Sequence, residues 1–289
     1  MSNLMPVVWR DGDLAELHTA TLPALSPSVQ YGIGVFDGLM AYWNGSFHNL
    51  FEAAVHMRRF VTSARELGLP VAWTDADLVE GCKSLVSELP PTTLYLRPLT
   101  CWHSEEIQLT EVPSGQPVTL IAAMRKEERG DRAAVCQISP YQRLSGRAVP
   151  LHWKTFGSYV NSYLCRRHAQ ASGYDDGIML GPDGSICEAS AANVFFLQRD
   201  TLVTPALTAD IFPGITRQVV LGIARSLGLR IEETRVLPDQ VEAFEAVFLA
   251  ATLMELRAVS RIDAASFRSD AHPAFLAIQQ QFRELTRGS

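Results

Sequence analysis

The segment Leu151-His152-Trp153-Lys154-Thr155-Phe156-Gly157-Ser158-Tyr159 sets a lysine among aromatic side chains, with a tyrosine five residues beyond it. Further on, Ile186-Cys187-Glu188 ends a short apolar run on an acid, and the small residues Ala189-Ser190-Ala191-Ala192 lead from it to Asn193-Val194-Phe195. A third piece, Pro213-Gly214-Ile215-Thr216-Arg217, opens a stretch whose apolar residues Ile215, Val219, Val220, Ile223, Ala224 and Leu227 recur at helical spacing until Gly228 closes it. Read together, these are short strands, a turn and a glycine-opened helix. They carry most of the residues suited to chemistry.

Working outward, Ala134–Ser139, Gly177–Leu180, Asn193–Leu197 and Thr201–Val203 read as strands, with turns at Gly181-Pro182-Asp183-Gly184 and Gln198-Arg199-Asp200. A strand over 231–236, a short helix over 238–244, a strand over 246–251 and a helix from about His272 complete this half. In the other direction, Phe51, Ala54, Val55, Val61, Ala64 and Leu67 predict a helix stopped by Gly68 and Pro70. Thr74 and Asp77 form a capping box for a second helix burying Leu78, Val79, Cys82, Leu85 and Val86. Strands follow over 92–100 and 118–124; in the first, alternation puts Tyr95 and Arg97 on one face and Leu94 and Leu96 on the other. The chain thus reads as α+β in two lobes: a small N-terminal domain over 1–124, a charged connector over 125–131 (Arg-Lys-Glu-Glu-Arg-Gly-Asp) and a larger domain over 132–289.

Totals narrow the function. At 289 residues, 47% apolar and 19% charged, the chain has the composition of a soluble globular protein rather than a disordered one. A net charge of -6 gives no basis for a nucleic-acid partner. No apolar run nears the ~20 residues of a membrane span, and residues 1–10 lack the order of a signal peptide. The five cysteines are odd in number and scattered, the pattern of reduced thiols in the cytoplasm, and no metal-ligand spacing occurs.

A lysine amine in partly apolar surroundings is a Schiff-base nucleophile, although a surface lysine snorkels more often than it reacts. A helix start opened by Gly214, with the Thr216 hydroxyl beside it, is an anion cradle as well as an ordinary helix N-terminus. Glu188 beside small residues suits a flat ring whose nitrogen must stay protonated, or else faces solvent at a strand end. In His56-Met57-Arg58-Arg59, either guanidinium suits a phosphate, and nothing local separates them. Amine, phenol, carboxylate and anion cradle together point to pyridoxal phosphate. The glycines at 32, 34 and 38 do not have dinucleotide-site spacing, and no strand-then-helix unit surrounds them.

With these residues assembled, the chain resembles the class IV (fold-type IV) pyridoxal-phosphate aminotransferases, nearest their branched-chain amino acid group. The likeness runs from about Tyr31 to Asp263. Its markers are Tyr31-Gly-Ile-Gly-Val-Phe-Asp-Gly-Leu39, His56-Met-Arg-Arg59, Ser63-Ala64, Tyr95-Leu-Arg-Pro-Leu99, Lys154 with Tyr159, Gly173-Tyr-Asp-Asp176, Glu188 with Asn193-Val-Phe195, Pro213-Gly-Ile-Thr-Arg217, and Thr252 with Glu255. The resemblance implies the two-domain fold of that group and transfer of an amino group between an L-amino acid and a 2-oxo acid by a ping-pong route. It implies that Lys154 is the catalytic, cofactor-linked residue, that Tyr159 meets the ring oxygen and that Glu188 meets the ring nitrogen. Arg59, Ile215, Thr216 and Thr252 would hold the phosphate. Tyr31, Phe36, Tyr95, Arg97 and Leu253 would shape the substrate pocket, and a homodimer is implied. Other activities of the fold (D-amino acid or R-selective amine transaminase, aminodeoxychorismate lyase) share the cofactor residues. Ala189, Ala192, Leu253 and Met254 depart from the branched-chain pattern and bear on substrate choice.

Overall fold

The fold is taken from a computed structural model, which describes residues 3–105, 116–127, 130 and 132–288. The chain divides into two compact units. The first comprises Met1–Glu127, Trp153–Gly157 and Thr286–Ser289; the second comprises Glu128–His152 and Ser158–Leu285.

In the first unit, β1 (Val7–Arg10), β2 (Asp13–Glu16), β3 (Gly34–Phe36), β4 (Leu39–Trp43), β5 (His48–Leu50), β6 (Leu94–Trp102) and β7 (Pro117–Arg125) form one sheet in the order β2-β1-β7-β6-β4-β5, with β3 paired to β6. The short helix α1 (Pro27–Tyr31) precedes β3, while α2 (Ala53–Glu66) and α3 (Asp75–Ser87) pack on the sheet through Met57, Phe60, Leu78 and Leu85. Ala54 and Val55, expected inside from spacing alone, are exposed. The stripe Ala53-Met57-Phe60-Val61-Ala64 takes the buried face instead. The Thr74–Asp77 capping box is present: Asp77 N–H donates to Thr74 Oγ1 at 3.2 Å and Thr74 N–H to Asp77 Oδ2 at 2.9 Å. In β6, Leu94 and Leu96 are fully buried in this core.

Lys154 belongs to this unit rather than to the stretch 132–289 with which the sequence groups it. Its segment ladders onto β3: Phe36 N–H donates to Lys154 O at 3.0 Å and Phe156 N–H to Gly34 O at 3.0 Å, with a bridge between Val35 and Thr155. Glycine is required at 34, because a Cβ there would lie 2.4 Å from the Phe156 ring. Of the charged connector over 125–131, Arg125 ends β7, and residues 128, 129 and 131 lie outside the described residues.

The second unit holds β8 (Ala134–Ile138), β9 (Asp176–Leu180), β10 (Ile186–Ala189), β11 (Asn193–Gln198), β12 (Thr201–Pro205), β13 (Arg230–Thr234), β14 (Ala246–Ala251), β15 (Glu255–Ile262) and β16 (Ala265–Ser266). Their order is β10-β9-β8-β15-β14-β11-β12-β13, with β16 on β15. A further pairing of β10 with β11, at Glu188 and Asn193, closes β10, β9, β8, β15, β14 and β11 into a ring. The pairing gives β10 a neighbour on each side, while β13 remains an outer strand beyond β12. The helices are α4 (Tyr159–Ala171), α5 (Ile215–Ser226) and α6 (Pro273–Arg287). Helix α4 is not legible from periodicity because it buries only Cys165 and Ala169 and exposes Val160 and Tyr163. Strand β15 is hidden in the same way, since Arg257, Ser260 and Arg261 interrupt its apolar residues.

Phe248 of β14 stacks on Phe195 with ring centroids 5.0 Å apart and meets Phe275 of α6 at 5.2 Å. It is fully buried. Phe248→Ala removes both contacts and leaves a cavity, which costs about 3–5 kcal/mol. Urea unfolding of the cofactor-free protein should show the loss as a lowered midpoint at unchanged slope.

Candidate active site

The first unit gathers its chemistry around Phe36 and Asp37. Asp37 follows β3 and is fully buried, its own N–H donating to Pro98 O at 2.9 Å. Its Oδ2 accepts from Arg59 Nε at 2.8 Å. Its Oδ1 accepts from Arg59 Nη2 at 2.7 Å, from the Gly38 N–H at 2.7 Å, and lies 2.8 Å from His56 Nδ1. Burial opposes ionisation of this carboxyl, but the charges and hydrogen bonds of Arg59 and His56 outweigh it and hold Asp37 well below the usual carboxylate range. The helix thereby separates the two adjacent arginines. The Arg59 side chain is 15% exposed and clamped along one edge by Asp37, whereas Arg58 is 73% exposed and lies 3.6 Å from Asp75.

Phe36 supplies an aromatic floor. The Arg97 guanidinium carbon sits 4.6 Å above its ring centroid and Lys154 Nζ 5.2 Å above it, within cation–π range. Tyr95 Oη accepts from Arg97 Nη2 at 2.9 Å and Nε at 3.2 Å, so the two residues that alternation placed on one face of β6 are joined. Gly38 makes room for that hydroxyl, because a Cβ there would lie 1.9 Å from Tyr95 Oη. Tyr31 is the last residue of α1 and is 38% exposed. Trp153 turns its indole N–H to Glu66 Oε2 at 2.6 Å.

In the second unit, Glu188 is the centre. The register between β9 and β10 shifts between Ile186 and Glu188, a bulge that re-aims the side chain. Its buried carboxylate accepts from Arg143 Nε at 2.7 Å on Oε1, and from Asn193 Nδ2 at 3.0 Å and the Phe212 N–H at 3.1 Å on Oε2. Asn193 Nδ2 also donates to Phe212 O at 3.0 Å, which fixes the approach to α5. Gly214 is the N-cap of α5 and supplies no side-chain acceptor, so the first N–H groups of the helix, at Ile215 and Thr216, are presented without the cap that Thr74 gives α3. A Cβ at Gly214 would stand 2.2 Å from Asn193 Oδ1.

The remaining residues singled out from sequence lie in this unit too. Tyr159 is the first residue of α4 and half-buried. Thr252 and Leu253 form the turn between β14 and β15 with Met254, which packs against the unit's core; Ala189 and Ala192 are buried in that core. Among the described residues, no group of three or more His, Cys, Asp or Glu side chains is placed to hold a metal ion. Asp37 and His56, which hold Arg59, and Arg143, which holds Glu188, have no role assigned from sequence. Asp37 stands inside a glycine-rich marker and Arg143 in a stretch without periodicity, and their partners lie far off in sequence, so only long-range folding reveals them.

Comparison with known proteins bears on both halves. The Amino-transferase class IV family model matches residues 34–262. A probable branched-chain-amino-acid aminotransferase of Rickettsia bellii is 30% identical, with 97% of this chain and 96% of that protein covered. The crystal structure of a branched-chain aminotransferase from the archaeon Thermoproteus uzoniensis, solved with norvaline, superposes with a TM-score of 0.93 at 31% identity, covering 99% of this chain and 95% of that one. That of a branched-chain amino acid aminotransferase of T.th., complexed with N-(5'-phosphopyridoxyl)-L-glutamate, does so at 0.91 and 27% identity, covering 97% and 94%. By sequence and by fold, the chain belongs to the class IV aminotransferases.

Proposed function

We propose that this protein is a pyridoxal-phosphate aminotransferase that moves an amino group between an L-amino acid with a branched-chain or other apolar side chain and a 2-oxo acid, in two half-reactions. The observation that carries the reading is the donor set. One chain holds a lysine amine over an aromatic floor, a buried carboxylate in a fixed orientation, and a helix start without a side-chain cap.

These residues fit the cofactor. The helix start at Gly214–Thr216 offers backbone N–H groups and a favourable dipole to a phosphate, and glycine at 214 lets Asn193 Oδ1 pack against the cap. Arg59, its one edge fixed by Asp37, adds a guanidinium of set direction, and Thr252 adds a hydroxyl. Glu188 takes the ring nitrogen and Tyr159 the ring oxygen. Bound pyridoxal phosphate supplies the electron sink that lets a substrate Cα–H bond ionise. Lys154 would hold the cofactor covalently and, as a free amine, would carry the proton at substrate Cα. Arg97, pinned by Tyr95 and stacked on Phe36, orients the substrate carboxylate end, and Phe36 with Tyr31 and Leu253 borders the side chain.

We further infer that the enzyme works as a homodimer in the cytoplasm, over the two domains read from sequence with the Lys154 segment reassigned to the first. The five cysteines are free and buried, as suits a reducing compartment, and the exposure of apolar Val160 and Tyr163 on α4 supports the dimer reading. Among the described residues, no helix is long and apolar enough to cross a membrane.

A panel of L-amino acids, D-amino acids and amines lacking a carboxylate tests the assignment. Apolar L-amino acids should convert the bound aldehyde form to the amine form, seen as loss of its visible absorbance. Conversion by D-amino acids or plain amines in preference would favour another activity of the fold, and no conversion by any donor would overturn the enzyme reading. A second test uses Arg97→Ala, which should slow conversion by L-amino acids by about 10²-fold or more, as loss of a charged binding contact does. Amines without a carboxylate should be slowed far less; equal slowing would remove Arg97 from the carboxylate site.

A further inference from the structure

We infer that Arg143 is a positioning residue for the reaction: by its hydrogen bond to Glu188 it fixes that carboxylate and keeps the proton it shares on the cofactor's ring nitrogen. The inference rests on the proposed function, in which Glu188 meets that nitrogen.

The geometry points to more than an incidental ion pair. The Arg143 side chain is 8% exposed and its Nε lies 2.7 Å from Glu188 Oε1. Its backbone is tied down from more than one direction. The Arg143 N–H donates to Leu180 O of β9 at 2.9 Å. Asn161 of α4 grips the residues on either side, accepting from the Leu144 N–H at 3.3 Å and donating to Gln142 O at 2.9 Å. An irregular segment is thus fastened so that one guanidinium meets one carboxylate.

The Asn193 amide and the Phe212 N–H, which also donate to Glu188, are neutral and bind the opposite oxygen. Arg143 brings a charge. A guanidinium at hydrogen-bond distance favours the anionic carboxylate, and burial without it favours the neutral acid. A proton lying between Glu188 and a ring nitrogen therefore rests on nitrogen while Arg143 is present. It moves to the carboxylate when Arg143 is lost, and the ring is then a weaker electron sink. Arginine suits this place because it stays charged when buried, where a lysine sheds its proton more readily.

The test is nitrogen NMR of protein loaded with cofactor labelled at the ring nitrogen, on the native protein, Arg143→Met, Arg143→Lys, Glu188→Gln and the double variant R143M/E188Q. Circular dichroism confirms that each is folded. Native protein should give a protonated-nitrogen signal and Glu188→Gln an unprotonated one. Arg143→Met should move the signal toward the unprotonated position and slow the amino-acid half-reaction by about 10–100-fold, the usual cost of losing such an outer partner. Arg143→Lys should fall between, and it carries the test if the methionine variant does not fold. In the Glu188→Gln background, Arg143→Met should change the signal no further. A native-like signal in folded Arg143→Met or Arg143→Lys, with Glu188→Gln shifted, overturns the role of Arg143 alone. A native-like signal in Glu188→Gln overturns instead the assignment of Glu188 to the ring nitrogen.

Discussion

The second unit turns on one buried carboxylate. Glu188 stands where β10 meets β11 and closes the strand ring, and its side chain hydrogen-bonds Asn193, the residue opposite it across that closure. The Phe212 N–H binds the same carboxylate oxygen, so the segment that delivers the α5 N-terminus hangs from it as well. Closing the sheet, orienting a carboxylate and aiming a helix start are thus one hydrogen-bonded arrangement. A buried charge tolerates this only when fully partnered; removing one partner of such a pair costs about 3–5 kcal/mol, whereas replacing both with apolar groups is often neutral. Position, more than stability, accounts for charge in this place.

The first unit repeats the device with different residues. Asp37 is fully buried and Arg59 is locked to it through two nitrogens, with His56 on the same carboxylate. In each unit a guanidinium and a carboxylate fix one another. In the first the proposed working group is the arginine, and in the second it is the acid. Phe36 stands next to Asp37 at the end of β3 and carries Arg97 and Lys154 over its ring, so the clamp on Arg59 and the floor under the amine share one turn of chain.

Much of this was legible from residue order. Helical spacing located α3 and α5, and strand alternation paired Tyr95 with Arg97, because both depend on contacts near in sequence. The apolar face of α2 was shifted by residues: Ala54 and Val55 fit the spacing but face out, as the sheet selects Met57, Phe60, Val61 and Ala64. Helix α4 was hidden by its polar, exposed surface, and β15 by the arginines along it. The unit to which Lys154 belongs was hidden as well, since backbone pairing of Lys154 and Phe156 with β3 spans more than a hundred residues and leaves no local trace. Arg143 was invisible for the same reason. Its partner Glu188 lies beyond a helix and a strand.

The amine at position 154 is the proposed covalent link to pyridoxal phosphate. The sequence contains only three lysines, so few other amines could carry it. Lys83 is 59% exposed and paired with Glu80, and Lys126 lies 5.7 Å over the Tyr42 ring. Borohydride reduction of the cofactor-loaded protein, followed by peptide mass mapping, should find one phosphopyridoxyl adduct, on the peptide containing Lys154. An adduct on Lys83 or Lys126 in its place, or none at all, would contradict the account.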